Sequence, residues 1–303
     1  MQISALILLS CLTSGALSQN LVLTNDDGWA VAQIRAQNDA LKAAGFNVVL
    51  SAPAENESGT GSSSATPKPL SQACEFNTCP TGSPAEGFNA SDTRLNYVNS
   101  FPVDAVRFGI QTLSPMFFGS GPDFVVSGPN VGTNLGSGIT GSGTVGAACE
   151  AALEGVPSIA VSATSNSQVS FTTLTTNPTS TSTLASLLYA QLATTLTTAL
   201  ISPSSRPILP SGITLNVNFP STSGCASASD FKFVLTRLVS NSSATDVQTC
   251  GSTHLPVETT VVGNSGCFAS ISVINASTKK DVDAATQGFV LDRIGSLLSC
   301  FTS

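Results

Sequence analysis

The chain has 303 residues, a formal net charge of −7, 41% hydrophobic residues and only 10% charged ones. That apolar fraction supports a sizeable buried core and excludes disorder of the whole chain as a sensible reading. The acidic balance disfavours a nucleic-acid polymer held through a basic patch, and admits a small anionic substrate only where a cation screens the carboxylates.

The first residues, MQISALILLSCLTSGALSQN, carry no charge, an apolar centre over 3–12 and a small-residue pattern at 16–18. The stretch is too short for a membrane span and reads as a secretory signal peptide over residues 1–18, cut after Ser18, although the usual positive residue near its start is missing. No later run of about 20 apolar residues stands out, so a secreted, extracellular chain without membrane contact is expected. Loss of the signal removes Cys11 and leaves Cys74, Cys79, Cys149, Cys225, Cys250, Cys267 and Cys300. In an oxidising compartment these allow up to three disulfides and one free thiol. Cys74 and Cys79 make a plausible local pair, and Cys149, within VGAACEAALEG, suits a buried thiol. The connectivity of the other four does not follow from spacing. A zinc site is disfavoured, because no C-x-x-C pair occurs and His254 is the single histidine. Sequons at Asn56, Asn89, Asn241 and Asn275 fit a secreted glycoprotein.

Residues 21–28, LVLTNDDG, form an apolar run that stops at two adjacent carboxylates and a glycine. The run reads as a first parallel strand emptying into a loop at the edge where open α/β sheets place ligands. Asn-Asp and Asp-Gly are also ordinary turn chemistry, so this stretch alone divides evenly between a turn and a site. Two carboxylates side by side repel unless a proton or cation lies between them, and hard divalent cations take oxygen ligands. Residues 31–44 then carry helical periodicity closed by Gly45, and 46–51 (FNVVLS) read as a second buried strand, completing a right-handed βαβ unit. Ser58-Gly59 therefore lies beyond the end of strand two, although a Ser/Gly tract alone is more simply a flexible loop.

Residues 68–98 read as an insertion of little periodicity, and a helix is expected from Pro102 to about Leu113. Over 122–163 the pattern is again strand (124–127), glycine-rich loop, helix (144–153) and strand (158–162). Ser142-Gly143-Thr144 enter that helix, whose N-terminal amides and dipole favour a phosphate. Two G-x-G-x-x-G patterns there lack the first-turn position and the following acidic residue of a dinucleotide fingerprint. A phosphate-binding G-x-x-x-x-G-K-[ST] loop is missing, as is a G-x-S-x-G elbow around Ser142. Farther on, a helix is expected over 184–199, strands at 214–218 and 231–238, a strand pair over 257–262 and 267–273, and a terminal amphipathic helix over 281–301.

Taken together, LTNDDG, SAPAENESGTG, PDFVVSGPNVGTNLG and GSGTVGAACEAALEGVPSIAVS, in that order and each at a strand end or the loop beyond it, resemble the SurE survival-protein family of metal-dependent phosphatases and nucleotidases. Cysteines and signal peptide make it similar to a secreted fungal branch. The resemblance implies a three-layer α/β/α, Rossmann-like and mostly parallel sheet. The match covers most of 21–163 and is looser in the C-terminal half; a single domain over 19–303 is expected, with a core of about 20–212 and a C-terminal β/helix extension of about 213–303. The resemblance implies a divalent cation, Mg²⁺, Mn²⁺ or Ca²⁺, on Asp26, Asp27, Ser58 and Asn130. Asn134 and Ser142, Gly143 and Thr144 then line the phosphate pocket and, with Asp26 and Asp27, form the catalytic set.

Two carboxylates, a hydroxyl and an amide oxygen are hard ligands, which agrees with such a cation. Pro129 and Gly141 stand where the family usually has an aliphatic residue and often a tyrosine. The implied activity is that of a metal-dependent phosphatase or 5'(3')-nucleotidase acting on nucleoside monophosphates or other small phosphate esters. Water attack and a covalent route through Asp26 both stay open. A haloacid-dehalogenase-type phosphatase would need D-x-D-G-T spacing, which adjacent Asp26 and Asp27 do not give. The competing class is a non-catalytic secreted glycoprotein that binds a phosphorylated ligand. A homodimer is expected, since the family commonly associates through its C-terminal extension, and Asn56 is expected to be largely unmodified because a glycan there would crowd Ser58.

Overall fold

The computed structural model describes residues 18–164 and 167–302. The expected signal peptide, apart from Ser18, and Cys11 lie outside the described residues. The strands are β1 (Asn20–Thr24), β2 (Asn47–Pro53), β3 (Glu86–Asn89), β4 (Asp92–Val98), β5 (Phe124–Val131), β6 (Ser158–Ala163), β7 (Ile213–Phe219), β8 (Lys232–Thr236), β9 (Phe268–Asn275) and β10 (Lys280–Asp281). They join one sheet in the order β10-β9-β7-β6-β5-β1-β2-β4-β3, with β8 also paired to β9. From β4 through β2, β1, β5 and β6 to β7 every neighbour is parallel. Antiparallel pairing enters at β3 and β9.

The helices are α1 (Ala32–Ala43), α2 (Pro102–Phe108), α3 (Ser114–Phe118), α4 (Gly143–Leu153), α5 (Thr173–Thr176), α6 (Thr181–Ile201), α7 (Glu258–Val262) and α8 (Ala284–Ile294). Alternation along β1 sorts them into two layers. Leu21 and Leu23 pack with Ile34 and Leu41 of α1 and with Tyr189, Leu192 and Leu196 of α6, whereas Val22 packs with Val106 of α2 and Ala147 and Ala151 of α4. The result is the expected α/β fold, a mostly parallel mixed sheet flanked by helices. Helix α6 is long and apolar enough by composition to cross a membrane, which the sequence reading overlooked, but 61% of its most apolar window is buried inside the molecule.

Several elements depart from expectation. The 68–98 insertion contains β3 and β4, which were hidden because DTRLNYV shows polar residues on a sheet flank and its pairing with β2 is non-local. Strand β5 runs past Ser127 to Val131 through a register shift between Ser127 and Asn130. The expected strand over 257–262 is the short helix α7: its β-branched run suggests a strand, but burial of Val261 against Val234 and Phe268 decides the local form. Helix α8 covers only part of 281–301. Asp283 caps it by accepting the Thr286 N–H at 2.8 Å, Gly295 follows its last turn, and Cys300 is tied to Cys250. The disulfides are Cys74–Cys79, Cys225–Cys267 and Cys250–Cys300, and Cys149 is buried and unpaired.

Candidate functional site

The chain order places β2 on one side of β1 and β5 on the other, so the loop after β1 leaves the sheet at its topological switch point. Turn chemistry and site chemistry coexist there. Asn25 closes the turn, donating from Nδ2 to the Gly28 carbonyl at 3.0 Å and accepting from the Gly28 N–H at 3.3 Å. Gly28 has φ +112°, and a Cβ on it would fall 2.2 Å from Glu75 Oε2, so only glycine fits. The turn carries Asp26 and Asp27, 2% and 1% exposed, on its tip.

Each carboxylate is held by a different element. Thr144 Oγ1, in the first turn of α4, donates to Asp26 Oδ1 at 2.5 Å. The backbone amides of Gly143 and Thr144 also favour the charged form of Asp26. Helix and loop approach so closely that a Cβ on Gly143 would lie 2.8 Å from Asp26 Cβ and 2.9 Å from Pro102 Cγ. The N–H of Val131 donates to Asp27 Oδ2 at 2.8 Å. Burial raises the pKa of Asp26, opposed by the Thr144 hydroxyl, and raises that of Asp27 well above the usual carboxylate range, with the Asp26 charge adding to it. No lysine or arginine forms an ion pair with either aspartate among the described residues.

Asn130 joins this pair through Thr144, whose hydroxyl lies 3.1 Å from Asn130 Oδ1, and Asn130 Nδ2 donates to the carbonyls of Val131 and Gly132 at 3.1 and 2.8 Å. Asn130 thus reaches Asp26 through the Thr144 hydroxyl. Ser58 is exposed, its N–H held by Asn56 Oδ1 at 2.8 Å, and no hydrogen bond joins its hydroxyl to either aspartate. The loop bearing it touches the site one residue earlier, where the Glu57 N–H donates to the Asp26 carbonyl at 2.7 Å. Ser142 caps α4, its hydroxyl accepting from the Val145 N–H at 3.1 Å. The helix start is thus partly committed, to Ser142 itself and to Asp26. Asn134 stands on a neighbouring network, donating from Nδ2 to Ser162 Oγ at 2.8 Å.

Sequence reasoning missed Glu75 and Gln168. Gln168 Nε2 donates both to the Asp27 carbonyl, at 2.8 Å, and to Glu75 Oε1, at 2.5 Å. Burial lifts the Glu75 pKa to about 7, and its charge in turn raises that of Asp27. Glu55 and Glu57, both also shifted upward by burial, stand near them. The only local signal for Glu75 is its place beside the Cys74–Cys79 disulfide. Among the described residues no three His, Cys, Asp or Glu side chains converge as a ready metal cage, so any cation at Asp26 and Asp27 must draw on neutral oxygens. A cavity of about 390 Å³ lies elsewhere, between His254, Leu255, Leu291 and Phe301, and contains none of the candidate residues.

Fold and site together define a doubly wound α/β protein with a buried aspartate pair at the switch point of its sheet. The family model described as Survival protein SurE matches residues 21–245. This chain belongs to that family. Among its relatives are an acid phosphatase of Yarrowia lipolytica, 36% identical over 296 residues that cover 88% of this chain and 81% of that one, and the 5'-nucleotidase SurE of Gloeobacter violaceus, 37% identical over 151 residues. The latter alignment spans 50% of this chain and 52% of the nucleotidase. The crystal structure of the SurE protein from Aquifex aeolicus shares the fold, with a TM-score of 0.60 and 24% identity over 85% of this chain and 93% of that one.

Proposed function

We propose that this protein is a secreted phosphomonoesterase dependent on a divalent cation, hydrolysing nucleoside monophosphates or other small phosphate esters. The observation that carries the proposal is the Asp26–Asp27 pair: two carboxylates almost wholly withdrawn from water, side by side, with no cationic side chain to balance them. Such a pair is costly unless it binds a proton or a metal ion. The names of the fungal acid phosphatase and the bacterial 5'-nucleotidase support the substrate class, and three disulfides support an oxidising compartment.

The donor set fits a hard cation. Asp26, Asp27 and Asn130 Oδ1 would hold it, with Ser58, on the exposed loop whose Glu57 N–H donates to the Asp26 carbonyl, as a further oxygen donor. When bound, such a cation screens phosphate charge and lowers the pKa of a coordinated water. The chain's own residues fix the geometry. Thr144 and the first amides of α4 oppose the burial that raises the Asp26 pKa, and the Val131 N–H orients Asp27. Asn134 lies next along the edge. Its partner Ser162 Oγ both donates and accepts, so the Asn134 amide can keep this anchor while turning Nδ2 toward a phosphoryl oxygen. A donor so placed would help to hold the phosphate of the bound ester.

The test is hydrolysis of a generic phosphate ester and a nucleoside monophosphate, with and without chelator, by wild type and Asp27→Asn. We expect chelation to abolish turnover and Asp27→Asn to lower kcat by about a hundredfold or more. Chelator-insensitive turnover, or a fully active Asp27→Asn protein, would sink the metal mechanism. A folded wild type inert on every phosphate ester would favour the reading as a binding glycoprotein.

A further inference from the structure

Glu258 is fully buried, although it lies in the C-terminal part of the chain, far in sequence from the candidate site residues. As the first residue of α7, it directs its carboxylate away from that helix and under the loop that follows β5. Oε1 accepts the Gly136 N–H at 2.6 Å, and Oε2 accepts from Asn216 Nδ2 at 3.0 Å and from Ser272 Oγ at 2.7 Å. Three donors converge on one anion from the 136 loop, β7 and β9. Burial pushes its pKa to about 7, and these three donors oppose the rise.

Asn216 is the link to the candidate site. Besides reaching Glu258, its Nδ2 donates to the Asn134 carbonyl at 2.9 Å, and Asn218 Nδ2 donates to the same carbonyl at 2.9 Å while its Oδ1 accepts the Asn134 N–H at 2.9 Å. The main chain of Asn134 is thereby gripped on both polar groups, and two residues later Glu258 grips Gly136. The half-buried Asn134 side chain donates to Ser162 Oγ, on the residue of β6 that pairs with Asn130 of β5. A buried carboxylate is an expensive way merely to fill a core, where apolar packing of equal volume serves as well. It is a good way to hold an exposed loop in one conformation, because displacing that loop would leave the charge without its donors.

We propose that Glu258, acting through Asn216 and the Gly136 N–H, is a positioning residue that fixes Asn134 for phosphate binding, so that the C-terminal part of the chain helps to build the substrate pocket. This rests on the phosphatase reading above. It concerns substrate binding, not the cation, whose candidate ligands lie on other hydrogen bonds.

The test is a double-mutant cycle of Glu258→Gln and Asn134→Ala, reading KM and kcat for a phosphate monoester and the inhibition constant of inorganic phosphate. The glutamine keeps the shape but turns an NH₂ group toward one of the donors. Expected for Glu258→Gln are a KM and a phosphate inhibition constant raised together by about tenfold, kcat within about threefold of wild type, and unaltered Mn²⁺ affinity. In the Asn134→Ala background Glu258→Gln should add little, since residues acting through one another are not additive. A lowered thermal midpoint with unchanged KM, or additive losses in the cycle, would overturn the proposal and leave Glu258 a stabilising group only. Should Glu258→Gln not fold, Asn216→Ala replaces it in the cycle with the same expected and contrary outcomes. The two readings fail separately. An inactive wild type removes the phosphatase, whereas an active wild type in which Asn134→Ala weakens phosphate binding and Glu258→Gln does not removes only this inference.

Discussion

The edge around Asp26 and the region beyond β7 solve opposite problems with buried charge. At Asp26 and Asp27 two like charges are pressed together and left without a cationic side chain, so the site is electrostatically incomplete. Beyond β7, Arg237 is ion-paired with Asp246 and, at 3.4 Å, with Asp281, while Gln287 Nε2 donates to Asp246 at 2.8 Å and two disulfides staple the chain. Charge that is satisfied internally holds structure together. Charge that is left unbalanced in a buried place is available for a ligand.

That contrast predicts how the two regions respond to change. The largest effect after loss of Asp27 is expected from Gly143→Ala, whose added methyl would meet Asp26 Cβ at 2.8 Å. It should lower kcat/KM by about tenfold or more and cost about 1–3 kcal/mol in stability, read by steady-state kinetics and urea unfolding. The converse pattern is expected from the double variant Cys250→Ser/Cys300→Ser, which opens a link across 50 residues. The denaturation midpoint should fall, by about 2–4 kcal/mol of stability, while KM for phosphate esters stays put. If activity fell in step with stability, the division between the two regions would not hold.

A smaller effect separates the regions by pH. The carboxyls of Glu75 and Glu258 are each raised from 4.5 to about 7 by burial. A raised carboxyl pKa means the folded state holds the proton more tightly, so this stability is fully present below pH 4.5 and is lost as the pH climbs through about 7. Chelated protein should therefore lose a few degrees of thermal midpoint over that window, and Glu75→Gln should flatten the slope on the site side. The smallest effect is expected at Cys149, on the buried face of α4, with its thiol pushed up to about 11. An alkylating reagent at pH 8 should leave the folded protein unmodified and label this thiol only on unfolding.

What the sequence disclosed, and what it hid, follows from how locally each feature is written. Strands β1, β2, β5 and β6 are buried on both faces and contain short continuous apolar runs, and β7 stands out by alternation. Strand β4 pairs with β2 but carries Asp92, Thr93 and Arg94 at its start, and it escaped notice. At the candidate site, Asp26, Asp27 and Thr144 drew attention because each stands at the end of such a run or the start of the helix that follows one, whereas Asn130 was singled out by the family resemblance. Glu75, Gln168 and Glu258 drew none. They reach the edge from a disulfide loop, the segment after β6 and α7, and no local pattern ties them to it. At Ser142 the structure adds a local role: a helix start offers amides to any acceptor, and here Asp26 and the Ser142 hydroxyl take part of them.

The central claim is that the unbalanced aspartate pair is a cation site. Titration of chelator-treated protein with Mn²⁺, followed by calorimetry, tests it most directly, because binding is read without any assumption about substrate. The account predicts one saturable Mn²⁺ site in wild type that is lost in Asp27→Asn and kept in Cys250→Ser/Cys300→Ser. Equal Mn²⁺ affinity in wild type and Asp27→Asn, or no saturable binding by folded wild type, would contradict it.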